Sequence, residues 1–174
     1  IRDSYTSGRT SNEAAFLWQL LARGFGTNNL PDCSNMCHES SGFALSDSIG
    51  IGKGTVTLED FNSAELILVV GQNPGTNHPR MLTALRDAKK NGASIISINP
   101  LVETGMKKFK HPQNPLEMLG SGKSIADKHV RIKINGDIAF FRGLNHCLLR
   151  DGNIDSKFIS TNTAGFEDYK ESLK

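Results

Sequence analysis

The feature that most constrains the fold is a pair of short apolar runs separated by a helical pattern. The first run, Leu66–Val70, is continuous and ends at Gly71, which is typical of a strand covered on both faces of a parallel sheet. The second run, residues 95–98, reads Ile-Ile-Ser-Ile. Between them, apolar residues at helical spacing end at Asn91-Gly92. Strand, helix and strand within about 35 residues predict a parallel crossover unit.

The segment before this unit divides into a helix and a polar stretch. Residues 10–24 predict a helix, because Thr10 and Glu13 have capping-box spacing and apolar residues follow at helical intervals. Residues 27–54 are rich in Asn, Ser, Asp and Gly and show little periodicity. They predict either a functional loop with short helices or an element that the pattern does not reveal.

The segment after the first strand continues the α/β alternation. Pro79 suits the first turn of the helix that follows it. Residues 130–134 alternate apolar and charged side chains, which predicts a third strand nearer an edge. Asp137 is a natural N-cap for a further helix. The pattern predicts an α/β domain with a doubly wound, mainly parallel, Rossmann-like sheet and helices on both faces, with residues 1–54 preceding it and residues 55–174 forming it.

Charge and cysteine content narrow the function classes. Lys and Arg number 20 against 18 Asp and Glu, so the net charge is only +2. This balance argues against nucleic acid or an anionic membrane as the main partner, because such surfaces need a positive excess. No run approaches the roughly 20 apolar residues that span a bilayer. Three cysteines cannot form a disulfide framework, and their odd number indicates either a reducing compartment or one cysteine kept for chemistry.

The turn after the first strand, residues 71–79, is the strongest candidate for a ligand loop. Ligands of open parallel sheets bind beyond the carboxyl ends of the strands, where helix N-termini present free N–H groups. The loop lacks the G-x-G-x-x-G pattern, which disfavours a standard nicotinamide site. The same residues are also compatible with an ordinary polar turn. Asn99-Pro100, at the end of the second strand, is expected to line the same crevice.

Residues 33–38 (CSNMCH) are the most reactive segment of the chain. Cys33, Cys37 and His38 place three possible metal ligands within six residues. Zinc is one interpretation, although two cysteines without a second pair give a weak structural-zinc pattern. A nucleophilic cysteine with a histidine is another, and a pair of buried thiols beside a surface histidine is the third.

Residues 26–38 (GTNNLPDCSNMCH) resemble the active-site segment of molybdopterin-dependent oxidoreductases, closest to formate dehydrogenase alpha subunits. In that family an Asn-Asn pair leads to a Cys or selenocysteine that binds molybdenum, followed by a His. The later motifs stand in the family's order, with residues 71–74 (GQNP), His78-Pro79 and residues 135–137 (NGD). Together these motifs cover most of the chain.

The resemblance implies specific roles for the residues that match it. Cys37 would be the thiolate ligand to molybdenum and, with His38, would form the catalytic pair. The cofactor would be molybdenum with bis(molybdopterin guanine dinucleotide), and residues 55–174 would bind one dinucleotide. The residues expected to contact the cofactor are Asn12, Gly71, Asn73, Pro74, Thr76, Asn77, His78, Asn99, Pro100, Gly136 and Asp137.

For the whole protein, the resemblance implies a cytoplasmic enzyme that oxidises formate or a similar small molecule by two-electron transfer. We expect the chain to be a fragment, inactive by itself, whose partners are the remaining domains and an electron-transfer protein. A 4Fe-4S cluster would lie outside these residues. Two alternatives remain from the residues alone: a non-catalytic nucleotide-binding or interaction module with the same fold, and a zinc-binding cysteine protein.

Overall fold

The computed structural model describes residues 10–30 and 38–173. The chain forms two compact units, Ile1–Val56 and Thr57–Lys174. In the part of the chain that is described, no helix is both long enough and apolar enough to cross a membrane.

The described residues of the first unit contain two helices. Helix α1 spans Asn12–Gly24, and its N-cap is Ser11, whose Oγ accepts a hydrogen bond from the Ala14 N–H at 3.3 Å. The predicted capping box at Thr10 is therefore wrong by one residue, because the hydroxyl one position later reaches the free N–H. Helix α2 spans Glu39–Ile49, so the polar stretch contains a helix of three turns.

The second unit contains the remaining elements, with three strands and eight helical segments among the described residues. In chain order they are α3 (Asp60–Ser63), β1 (Leu66–Val70), α4 (Pro74–Asn77), α5 (Met81–Lys90), β2 (Ser94–Ile98), α6 (Thr104–Lys107), α7 (Pro115–Leu119), β3 (Lys128–Val130), α8 (Asp137–Arg150), α9 (Ser156–Asn162) and α10 (Phe166–Ser172).

The strands form a parallel sheet in the order β1-β2-β3. Leu66 pairs with Ser94 and Val70 with Ile98, so β1 and β2 are in register over five residues. The sheet and the helices around it confirm the predicted α/β class and the predicted β1-helix-β2 crossover unit.

The structure corrects three details of the prediction. Strand β1 is not covered on both faces: Leu66 is 55% exposed and Leu68 is also exposed, and these alternate residues lie on the same face of the strand. The predicted third strand, residues 130–134, is displaced along the chain: β3 spans Lys128–Val130, so the two share only Val130, and residues 131–133 are not in a strand. Pro79 lies before α5, whose first residue is Met81, and prolines occupy the first helical position of α4 (Pro74) and of α7 (Pro115) instead.

The core of the second unit lies between β1, β2, α5 and the β2–β3 connection. Its buried members are Val69, Leu82, Leu85, Ile95, Met106, Ile125 and Ala126. Because Met106, Ile125 and Ala126 come from the connection after β2, that connection is anchored at both ends. The Met106 carbonyl accepts the N–H groups of Ile125 and Ala126 at 3.1 and 3.0 Å.

Two glycines allow α4 and α6 to touch through their backbones. A Cβ on Gly105 would lie 3.0 Å from the Gly75 Cα and 3.3 Å from Leu82 Cδ1. We therefore expect Gly105→Ala to lower the free energy of unfolding by about 1–3 kcal/mol, since it overpacks a backbone contact. Chemical denaturation measures the effect.

Gly143→Ala is the matched control for this substitution. Gly143 lies inside α8, and a Cβ there meets nothing within 4 Å. The same change should stabilise by up to about 1 kcal/mol through helix propensity. Equal effects at the two positions would contradict the close contact between α4 and α6.

A carboxylate fixes the connection to the start of β2. Asp127 Oδ2 accepts the Ile95 N–H at 2.8 Å, and Oδ1 lies 2.6 Å from Lys89 Nζ. The hydrogen bond from Lys89 and the one from the Ile95 N–H hold the pKa of Asp127 below its ordinary value. The charged form is thus favoured by the folded state.

This pKa shift gives stability a pH dependence of known sign. A depressed pKa contributes stability above the unfolded pKa and loses it as pH falls through the folded pKa. We expect Asp127→Asn to be less stable at pH 7, by on the order of 1 kcal/mol because the carboxylate is half exposed. The difference from the unsubstituted protein should shrink as the pH falls toward the folded pKa of Asp127. Urea denaturation between pH 3 and 7 tests this, with exposed Asp168→Asn as the control.

Candidate functional site

The carboxyl ends of the three strands form one continuous edge. The Gly71 N–H donates to the Ile98 carbonyl at 2.9 Å, and the Asn99 N–H donates to the Val130 carbonyl at 3.0 Å. These bonds extend the ladder one residue past each of the first two strands. The first residues of the loops after β1 and β2 are therefore held side by side, where open parallel sheets bind ligands.

The loop after β1 turns sharply and presents polar side chains. Gly71 has a φ of +63°, in the left-handed region that favours glycine, and it is exposed. Asn73 is the N-cap of α4 but its side chain makes no capping bond, and Pro74 is buried behind it. The exposed polar side chains on this loop are those of Thr76, Asn77 and His78.

Asn99 joins this loop to the end of β2. Its side-chain Nδ2 donates to the Gln72 carbonyl at 3.2 Å, and its Oδ1 accepts the Leu101 N–H at 3.2 Å. The residue is 9% exposed. Both ends of the Asn99 amide therefore hold backbone groups in place. Pro100, the next residue along the chain, is half-buried.

The chain leaves β3 through a tight turn that leads into α8. The Gly136 N–H donates to the Lys133 carbonyl at 2.8 Å, and Asn135 has a φ of +66°. A Cβ on Gly136 would lie 2.8 Å from that same carbonyl oxygen, so only glycine fits without a shift. Gly136, not Asp137, is the N-cap, which makes Asp137 the first residue of the helix.

The first turn of α8 carries no side-chain cap. Unpaired N–H groups at a helix N-terminus can receive acceptors of a ligand, and the half-buried Asp137 adds a carboxylate that can accept N–H donors. Sequence reasoning singled out Asp137 as the N-cap and both Gly136 and Asp137 as cofactor contacts, but it did not predict the close-packed turn.

Of the reactive segment, residues 33–38, the structure describes only His38. Cys33 and Cys37 lie outside the described residues. His38 is exposed and is the N-cap of α2, and its imidazole makes no capping bond. Asn12 is the first residue of α1 and is exposed. Both belong to the first unit, whereas the strand-end residues belong to the second.

Metal-binding capacity of the described residues is limited. No group of three or more His, Cys, Asp or Glu side chains among residues 10–30 and 38–173 is arranged to hold a metal ion. The zinc interpretation rests on Cys33 and Cys37, so it stays a prediction.

Sequence reasoning missed the residues that support the strand-end loop. Gly105 packs against the loop from α6, and the backbone groups of Gln72 and Leu101 receive the Asn99 side chain. A glycine at the second position of a short helical segment was the available indication for Gly105. The backbone groups that an amide side chain binds cannot be recognised from the sequence.

Comparison with known proteins identifies the family. The molybdopterin oxidoreductase family profile matches residues 3–172, nearly the whole chain. The chain belongs to the molybdopterin oxidoreductase family. The predicted resemblance is thereby confirmed at the level of the family.

Individual relatives of this molybdopterin oxidoreductase chain cover it almost completely. An uncharacterized oxidoreductase of Mycobacterium tuberculosis is 58% identical over 95% of the chain and 22% of the relative. Protein YdeP of Escherichia coli is 50% identical over 97% of the chain and 24% of the relative. Formate dehydrogenase H of Escherichia coli is 30% identical over 100% of the chain and 22% of the relative. The chain thus spans less than a quarter of the length of these curated relatives.

The strand-end groups fit the chemistry of a molybdopterin cofactor with a nucleotide extension. Family membership implies molybdenum bound to molybdopterin. A nucleotide offers phosphate acceptors, ribose hydroxyls and base N–H groups. The described edge supplies a glycine open to backbone approach, exposed amide and hydroxyl side chains, and the uncapped N-terminus of α8 with its carboxylate.

Proposed function

We propose that the chain is the part of a formate-dehydrogenase-like molybdenum enzyme that supplies the metal thiolate and one guanine dinucleotide site. The observation that carries the proposal is the presence, in one chain of this family, of the Cys37-His38 pair and a strand-end edge lined by hydrogen-bonding groups. The similarity to formate dehydrogenase H supports formate or a similar small molecule as substrate.

Cys37 is the proposed molybdenum ligand. Thiolate is a strong, soft ligand for such a metal. His38 is the N-cap of α2, an 11-residue helix. The bound cofactor supplies the two-electron redox chemistry.

His38 is the proposed proton acceptor. Oxidation of formate to carbon dioxide releases two electrons and one proton, and the electrons go to the metal centre. The imidazole of His38 is exposed and is not used to cap α2. The exposed imidazole can take the proton and pass it to solvent.

The dinucleotide is proposed to lie along the strand-end edge of the second unit. Gly71 allows the backbone to approach a phosphate, and the loop of Asn73, Thr76 and Asn77 provides partners for ribose and phosphate. Asp137 and the start of α8 would receive the base. Asn12, His78, Pro74, Pro100 and Gly136 complete the proposed contact set, and Asn99 contributes chiefly by fixing the loop.

We propose that the remaining domains of the whole protein supply the second dinucleotide site. We further propose that the whole protein is cytoplasmic, binds a 4Fe-4S cluster and contacts an electron-transfer partner. Residues 1–54 would form the active-site segment and residues 55–174 the dinucleotide-binding domain. The isolated chain is then expected to be inactive.

A second candidate function is a nucleotide-binding or interaction module without catalysis. Glu39, the first residue of α2, is exposed and directly follows His38. A carboxylate beside the proton acceptor disfavours an anionic substrate such as formate. The observation therefore favours either a neutral substrate or loss of the reaction.

Metal and nucleotide analysis of the full-length protein tests the proposal. We expect stoichiometric molybdenum and guanine nucleotide in protein produced in a molybdate-replete host, and formate-dependent reduction of an artificial dye. Protein without molybdenum would overturn the enzymatic proposal. Guanine nucleotide without molybdenum would establish the module instead.

A further inference from the structure

The connection between β2 and β3 carries a projecting loop, residues 107–123, which we call the basic loop. Its base is an antiparallel bridge, in which the Phe109 N–H donates to the Lys123 carbonyl at 2.9 Å and the Lys123 N–H donates to the Phe109 carbonyl at 3.0 Å. Helix α7 lies within the loop, and the side chain of its N-cap, Asn114, accepts the Leu116 and Glu117 N–H groups. The loop is therefore an ordered structure.

The basic loop concentrates positive charge. Its four lysines, Lys107, Lys108, Lys110 and Lys123, are all exposed, and its one acidic residue is Glu117. Its net charge of +3 exceeds the +2 of the whole chain, so the remainder of the chain is slightly acidic.

Glu117 does not neutralise these lysines. Its carboxylate faces the body of the domain, where Arg86 Nη1 lies 3.3 Å from Oε1 and Lys90 Nζ lies 3.7 Å from it. Within residues 10–30 and 38–173, none of the four loop lysines forms an ion pair with a carboxylate. Their charge is therefore not balanced by a carboxylate of the described residues.

Two exposed leucines lie in the same loop as these lysines. Leu116 is 83% exposed and Leu119 is 89% exposed. They are three residues apart on α7, so they share one face of the helix. Lys110 Nζ donates to the Met118 carbonyl at 3.1 Å, which brings an ammonium group to the same end of α7. An ordered loop thus presents apolar side chains and cations together.

We propose that the basic loop binds an anionic lipid surface, with Leu116 and Leu119 entering the headgroup region. The lysine and leucine side chains of the loop suit such a surface. The ammonium groups are attracted to acidic headgroups, and the leucines are removed from water. The near-balance of charge in the whole chain conceals this local excess.

The composition of the loop favours lipid over a macromolecular partner. Protein interfaces are enriched in Arg and aromatic residues and depleted in Lys. Residues 101–127 contain no Arg, and Phe109, their one Phe, Tyr or Trp, packs against the core. Single-stranded nucleic acid requires exposed aromatic rings for stacking, which these residues also lack.

Vesicle sedimentation with the full-length protein tests the proposal. We expect binding to vesicles containing 30 mol% phosphatidylglycerol in phosphatidylcholine, at roughly 100 mM salt, and weaker binding as salt rises. Each lysine near such a surface contributes about fivefold, so Lys107→Gln/Lys108→Gln should weaken binding about 30-fold. Leu116→Ser/Leu119→Ser should weaken it at least about tenfold.

Lys53→Gln/Lys157→Gln is the matched control, since it removes the same charge at exposed positions outside the loop. It should leave vesicle binding within about twofold of the unsubstituted protein. Failure to bind anionic vesicles would overturn the proposal, as would equal binding to pure phosphatidylcholine or equal effects of both lysine pairs. A large fall in the Tm of Leu116→Ser/Leu119→Ser would also overturn it, because it would show that the full-length protein covers these leucines itself.

Discussion

We expect Cys37→Ala to abolish turnover by the full-length protein and to leave its free energy of unfolding nearly unchanged. The change removes the proposed thiolate ligand, so the metal centre loses the donor that the protein contributes. The residue stands in a polar segment, residues 31–38, and α2 begins just after it. Substitutions away from a core usually alter stability by less than about 0.5 kcal/mol. Steady-state kinetics and urea denaturation measure the two effects.

Cys147→Ala is the matched control for Cys37→Ala. Cys147 is an exposed free cysteine of α8, and it is not among the proposed site residues. Its substitution should leave turnover intact. His38→Gln should lower kcat by about 10²- to 10⁴-fold without loss of molybdenum, as expected for removal of a proton acceptor. Normal turnover by Cys37→Ala would refute the assignment of the metal ligand.

Asn99→Ala should have the second largest effect. It leaves the Gln72 carbonyl and the Leu101 N–H without their side-chain partners at a site that is 9% exposed. We expect the free energy of unfolding to fall by about 2 kcal/mol, because buried polar groups without partners are costly. The loop of residues 71–79 should also exchange its amide hydrogens faster, and the full-length protein should retain less guanine nucleotide.

Two variants define what Asn99 does. Asn162→Ala, which removes one exposed hydrogen bond from Nδ2 to the Phe158 carbonyl, should cost less than about 1 kcal/mol. Asn99→Asp keeps an acceptor for the Leu101 N–H and loses the donor to Gln72. If Asn99→Ala loses nucleotide while stability and exchange stay unchanged, Asn99 contacts the ligand directly, and its role as a brace of the loop is wrong.

Much of the fold was predictable because its main elements are short apolar runs. Leu66–Val70 matches β1 at both ends, and α5 and α8 follow stripes of apolar residues with clear stops at Asn91 and Asp151. The helix Glu39–Ile49 was not predictable, because its sequence is rich in Ser and contains a Gly, and because its apolar residues Phe43 and Ile49 are exposed. Its pattern resembles a polar loop because little of it is buried.

The candidate site was likewise predictable only in part. The sequence predicted which loops follow the strands, because β1 and β2 end where their apolar runs end. It did not predict that the Asn99 amide binds backbone, or that Gly75 and Gly105 touch. Such contacts depend on how segments far apart in the chain are brought together, and no local pattern encodes them.

The edge position of β1 has a practical consequence for any protein made from this sequence alone. Among the described residues β1 pairs with β2 on one side, and its outer edge carries five apolar residues without a charge or a proline. Unpaired apolar strands of this kind recruit further copies and nucleate aggregates. Leu66→Lys, at an exposed position, adds a gatekeeper charge that should keep the isolated piece in solution.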